Sequence, residues 1–181
     1  MPFVLSMSVF FVTWFLGIAA AETIYFKPEE ALKLAFRGSD EVIMEKKSLS
    51  PEQKKKAELS TGSILEKREW NVYVGRTAGG VDGYAIIDHE IGKMDPITFM
   101  TVISPRGEVR SVEILVYRES QGDEVHETKF LKQFEKKTLS SPLMPGQDIK
   151  NISGATLSVR AVTIGVRRSL AVWDAVYGRT S

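Results

Sequence analysis

Beyond Leu65 the apolar residues of this chain recur at every second position. Trp70, Val72 and Val74 alternate with Asn71, Tyr73 and Gly75, the pattern of a strand with one face in a core and the other toward water. Gly79-Gly80 makes a turn, and Gly83 to Ile91 reads as a second strand. Ile97 to Ile103 is a third, Pro105-Arg106-Gly107-Glu108 a turn, and Val109 to Tyr117 a fourth, with Val112, Ile114 and Val116 on one face. Connections this short between successive strands predict an antiparallel meander. Trp70, Tyr84 and Phe99 are expected to pack in its core.

Helical signals flank the strands. Lys27 to Phe36 opens with Pro28 and two acids, Glu29 and Glu30, and Gly38 follows as a stop. Ser50-Pro51-Glu52-Gln53 is a capping box, and the helix it starts should run through Leu59 to a stop at Gly62, its lysines facing solvent. A short helix is expected at about Glu127 to Lys136, with Phe130, Leu131 and Phe134 on its apolar side. The last helix, about Ser158 to Tyr177, carries the stripe Val162, Val166, Leu170 and Trp173. The expected fold class is α+β: one domain in which an antiparallel sheet is covered by N-terminal helices and a long C-terminal helix.

The first 21 residues contain no charged side chain and form an apolar run ending in Ala19-Ala20-Ala21, directly before Glu22. This is the form of a signal peptide, and the run is also long enough for a membrane anchor of ~20 residues. Either outcome puts the remainder outside the cytoplasm, in the periplasm or on the outer face of the cytoplasmic membrane. The expected organisation is therefore 1–21 signal peptide or anchor, 22–64 an N-terminal helical region, and 65–181 the main domain. Net charge is +1, which gives no electrostatic case for nucleic acid. Lys54-Lys55-Lys56 and Arg167-Arg168 read as solvated helix faces. The chain has no cysteine, so disulfides, Cys-ligated iron–sulfur clusters and thioether-linked haem are excluded. Any redox chemistry must come from an organic cofactor.

Asp148 to Ser158 is the stretch with chemical content. Ser153, Gly154 and Ala155 are small enough for backbone to approach a ligand, and Gly154 permits a turn other residues resist. A long helix follows at once, so unpaired N–H groups and a partial positive charge meet at Thr156, whose hydroxyl stands where a phosphate would be stabilised. The same residues also suit an ordinary turn with a Ser or Thr cap. Spacing alone does not separate the two.

Ile152 to Ser158 strongly resembles the flavin-attachment motif of the FMN-binding domain family. That family includes the C subunit of the sodium-pumping NADH:quinone oxidoreductase, the G subunit of the Rnf complex and stand-alone exported proteins. Further similar segments follow in the family's order: Pro96-Ile97-Thr98-Phe99, Gly107 to Tyr117, Glu119 with Gly122, Glu124 and Val125, Phe130 with Gln133 and Phe134, and Gly146 to Ile149. The resemblance implies an FMN cofactor, bound at Ser153, Gly154, Ala155, Thr156, Leu157 and Ser158 and linked through its phosphate to Thr156 by an exported flavin transferase. It also implies that the loop from Glu119 through Gly122 to Glu124 lies near the flavin ring. One position departs from the family: Lys150 stands where members usually carry an acid three residues before the serine, and Asp148 is two residues too early to replace it.

The function expected from this is electron carriage between redox partner proteins rather than autonomous catalysis, since no nucleophile–base pair is evident. The alternative is a non-covalent FMN-binding subunit of an extracytoplasmic reductase complex. His89 and His126 are the only histidines. Asp88-His89-Glu90 cannot converge on a metal, because neighbouring strand residues point to opposite faces.

Overall fold

The computed structural model describes residues 22–178; the apolar run at 1–21, with its expected signal or anchor role, lies outside them. Six strands form one antiparallel sheet in the order β1-β6-β5-β4-β3-β2. They are β1 Thr23–Ile24, β2 Glu41–Ser48, β3 Glu69–Thr77, β4 Gly80–Ile91, β5 Pro96–Ile103 and β6 Val109–Tyr117. Four helices accompany them: α1 Pro28–Ala35, α2 Pro51–Thr61, the single turn α3 Thr128–Leu131, and α4 Thr156–Tyr177. The α+β class and the meander β3 to β6 are as the alternating pattern requires.

The region 22–64 is more than helical. Its two helices form, and α2 carries the expected box: Ser50 Oγ accepts from the Gln53 N–H at 3.2 Å, while Gln53 Oε1 accepts from the Ser50 N–H at 2.9 Å. Between them, however, β2 pairs along its whole length with β3, and β1 adds to the opposite edge beside β6. The segment expected as a helix from Glu127 to Lys136 is also different. It is broken into a 3-10 turn at Asp123–His126, α3, and a second 3-10 turn at Lys132–Phe134. Its apolar residues Phe130, Leu131 and Phe134 are nevertheless buried.

Two apolar layers cover the sheet. The larger joins Trp70, Val72, Phe99, Val112, Ile114 and Tyr117 to the α4 stripe Val162, Val166, Leu170 and Trp173. The smaller lies on the other face, where Ala31 and Phe36 from the α1 region meet Ala85, Met100, Val102 and Leu115. Tyr84 is only partly buried against the larger layer. Helix α4 lies directly on β5 because Gly165 has no side chain: a Cβ there would come within 2.0 Å of Phe99 Cζ.

Strand β6 departs from simple alternation. Phe99 pairs with Ile114 and Thr98 with Val116, so Leu115 is an extra residue in the ladder, a β-bulge. The expectation that Val116 shares a face with Val112 and Ile114 fails for this reason. Beyond the bulge the phase reverses, Val116 joins the smaller layer and Tyr117 enters the main core. That reversal is what delivers the Tyr117 hydroxyl to the start of α4.

The paired arginines on α4 also depart from expectation. Arg168 is not on a solvated face: its side chain is 13% exposed and binds Asp88 through Nε at 2.7 Å and Glu90 through Nη1. Asp88, whose carboxylate is 3% exposed, also takes Lys67 at 2.9 Å. Arg167 donates to the Ser60 carbonyl at 2.8 Å, so both arginines tie α4 to its neighbours. Among the described residues no helix is long and apolar enough to cross a membrane.

Candidate functional site

The loop that leads to α4 is held by Asp148. Its carboxylate accepts from the Leu143 and Met144 amides at 3.2 and 2.9 Å and from Lys137 Nζ at 2.8 Å. Burial pushes this carboxyl up, but the bonds from Lys137, Met144 and Leu143 outweigh burial and hold it below the ordinary carboxylate range. Ile149 is buried beneath it. Asp148 is thus committed inside its own loop.

Helix α4 begins at Thr156, two residues before the expected start. The chain turns at Ser153 and Gly154, where Gly154 has φ +85°, a left-handed conformation in which residues with a Cβ are strained. The Ala155 N–H closes the turn on the Ile152 carbonyl at 3.1 Å. Ala155 is then the residue before the helix, and no side chain caps the N-terminus. The ordinary-cap reading of Ser153 and Thr156 therefore fails: the first amides of α4 are left for solvent or a ligand.

The structure divides the motif into two groups. Ser153, Gly154, Thr156 and Leu157 are exposed, whereas Ala155 and Ser158 are buried. Nothing lies within 4 Å of where a Gly154 Cβ would be. Buried Ser158 stands 2.8 Å from the Tyr117 hydroxyl, which in turn donates to the Gln121 carbonyl.

Gly122 completes this contact. Its φ is +89°, and a Cβ there would meet Ser158 Oγ at 2.6 Å, the Tyr117 hydroxyl at 2.9 Å and Ala155 Cα at 3.4 Å. The Gly122 loop therefore sits against the motif with no room for a side chain. Glu119 points elsewhere. Its carboxylate accepts from the amides of Lys93, Met94 and Asp95, the latter two at 2.7 and 3.1 Å, and so organises the turn between β4 and β5.

The sequence places Phe130 on the apolar side of a short helix and gives no sign of the groove beside it. Lys150, Asn151 and Ile152 form one wall; Glu127, Lys129, Phe130 and Gln133 form the other. Its volume, about 420 Å³, lies within the range of small-molecule sites. The wall at Ile152 runs straight into the Ser153–Gly154 turn. Gln133 ties the two walls together by accepting from the Lys150 N–H at 2.7 Å.

Residues 92–171 match the family model for the FMN-binding domain. The chain carries an FMN-binding domain. Its cofactor is FMN, and every part of the site described above lies between residues 92 and 171. Two solved structures share the fold. NqrC of Shewanella oneidensis superposes with a TM-score of 0.55 at 12% identity, over 82% of this chain and 87% of that one. The corresponding C subunit of the Na(+)-translocating NADH-quinone reductase from Parabacteroides distasonis gives 0.53 at 16% identity, over 77% of this chain and 80% of that one. No curated protein matches the sequence.

The residues present fit the cofactor. The uncapped amides at Thr156 suit a phosphate, and the groove offers the apolar side chains of Phe130 and Ile152 together with polar Gln133 and Asn151. Glu124, in the turn that follows Gly122, carries a carboxylate oxygen that is buried without a hydrogen-bond partner.

Proposed function

We propose that this protein is an exported electron carrier whose FMN is held by its phosphate at the start of α4, esterified to Thr156, with the groove between Phe130 and Ile152 receiving the ring. The observation that carries the reading is the uncapped helix start behind Gly154, inside an FMN-binding domain. Bound there, isoalloxazine supplies the one- and two-electron chemistry that the chain's own side chains lack.

The chain's part is to bind and to position. The amides of the first turn of α4 aim partial positive charge at the phosphate. The exposed Thr156 hydroxyl, with Ser153 and Gly154 open beside it, is accessible to a flavin transferase. Gly122, Tyr117 and Ser158 hold the turn from behind, while Phe130 and Ile152 exclude water from the ring. A site open on one side leaves the ring within reach of redox partner proteins. The uncharged N-terminal run supports export to the periplasm or to the outer face of the cytoplasmic membrane.

Lys150 favours a second reading, in which FMN stays non-covalent within an extracytoplasmic reductase complex. A base stands where the attachment signal of similar proteins carries an acid. One of the solved neighbours is itself, by name, part of a reductase.

Titration with FMN and with riboflavin, followed by flavin fluorescence, tests the phosphate seat. FMN should bind at least about tenfold more tightly, one charge-assisted contact set being worth on the order of 1.5–3 kcal/mol. Equal affinities for the two, or no binding of either, would contradict the proposal.

A further inference from the structure

The groove is not electrically neutral. Its charged lining residues are Glu127, Lys129 and Lys150. Glu127 and Lys129 lie two residues apart on one segment and offset each other. Lys150 stands alone on the opposite wall. The acid nearest to it in sequence, Asp148, is taken by Lys137, and Lys150 has no ion pair among the described residues. Its backbone is pinned to Gln133, so the side chain is rooted in the groove wall while it stays exposed.

We infer that Lys150 raises the reduction potential of the flavin by favouring its reduced anion. The inference rests on the groove being the seat of the ring. Two electrons and one proton, delivered by an external low-potential donor, convert the neutral oxidised ring into a species with one extra negative charge. A positive charge in the groove stabilises that product over the neutral reactant, and it does so through space, whichever edge of the ring faces it. At a charge separation of roughly 10 Å and an effective dielectric near 20, one unit charge shifts such an equilibrium by about tenfold. Lys150 is thereby a positioning residue for electrons, one that sets where the carrier stands between its donor and its acceptor.

The test is spectroelectrochemical titration of the FMN-loaded protein, of Lys150→Gln and of Lys150→Glu, at low and high salt. At low salt the midpoint potential should fall in Lys150→Gln and fall again in Lys150→Glu. Each unit of charge removed should lower the ratio of reduced to oxidised flavin about tenfold at a fixed solution potential. In 1 M salt, where the screening length shrinks to about 3 Å, the three potentials should converge. The parent alone provides a check that needs no variant: its potential should fall as salt rises. Thermal unfolding of the three proteins without FMN should coincide, because the Lys150 side chain is exposed and has no ion pair among the described residues. Equal potentials at low salt, a higher potential in Lys150→Glu, or a salt-independent parent would overturn the inference while leaving FMN binding intact. A parent that takes up no FMN would overturn the underlying reading as well.

Discussion

The hydroxyl of Tyr117, at the end of β6, lies 2.8 Å from the hydroxyl of Ser158 in the first turn of α4. This contact joins the sheet to the Ser153–Gly154 turn at a buried point, and Gly122 closes over it. Tyr117 reaches it only because Leu115 bulges out of the ladder. Removing the phenol hydroxyl should leave Ser158 and the Gln121 carbonyl short of a buried partner. Tyr117→Phe is therefore expected to cost about 1–3 kcal/mol of folding stability, measurable by urea unfolding. An unchanged midpoint would show that the contact carries no weight.

The left-handed glycines Gly122 and Gly154 should behave differently. Gly154→Ala meets only the backbone cost, about 1–2 kcal/mol, since the space around it is open. Gly122→Ala adds collisions with Ser158, Tyr117 and Ala155, a further cost of roughly 1–3 kcal/mol. Comparing the denaturant midpoints of the two variants tests whether the Gly122 loop truly presses on the motif. Equal losses would argue that it does not.

The ion network beneath α4 has an asymmetric weak point. Arg168→Ala strands Asp88 and Glu90 in a largely buried setting and should cost about 3–5 kcal/mol. Lys67→Ala removes a half-exposed partner of the same Asp88 and should cost no more than about 1 kcal/mol. Calorimetry of both variants reads the difference, and a larger loss for Lys67→Ala would invert this assignment.

Glu113 lies half-buried on the α1 face, beside a cavity of about 140 Å³ lined by Phe26, Leu34 and Met100. Burial pushes its carboxyl above the ordinary value. The folded state therefore holds this proton more tightly than the unfolded state does. Stability falls as pH rises from the ordinary glutamate range through the raised value, and the loss is complete above it. Glu113→Gln should raise the melting temperature at pH 7 and leave it unchanged near pH 3. A variant less stable than the parent at pH 7 would contradict the sign.

Strands β3 to β6 were legible because each buries one face, which imposes alternation on Trp70, Val72 and Val74 and on Val112 and Ile114. Strand β2 was not. As an edge strand it keeps one side open, so Glu41-Val42-Ile43-Met44-Glu45 mixes charges with apolar residues that stay partly exposed, and its pairing depends on β3 rather than on local pattern. The α2 start was readable because Ser50 and Gln53 satisfy each other locally. The site divides in the same way. The turn before α4 announces itself through Gly154 and its small neighbours, and the resemblance supplied FMN. The part played by Tyr117 depends on a bulge, and the groove depends on two segments far apart in sequence. Neither leaves a periodic trace. Arg168 was misplaced because a charge pair reads as solvated until its buried partners on β4 are known.

If the turn feeding α4 seats FMN and Thr156 carries it, intact-protein mass spectrometry on protein made in cells that also express an exported flavin transferase will show it. One flavin nucleotide should be attached to the parent, located to the peptide containing Thr156, and none to Thr156→Ala. Attachment at another residue, or equal flavin loads on parent and variant, would contradict it.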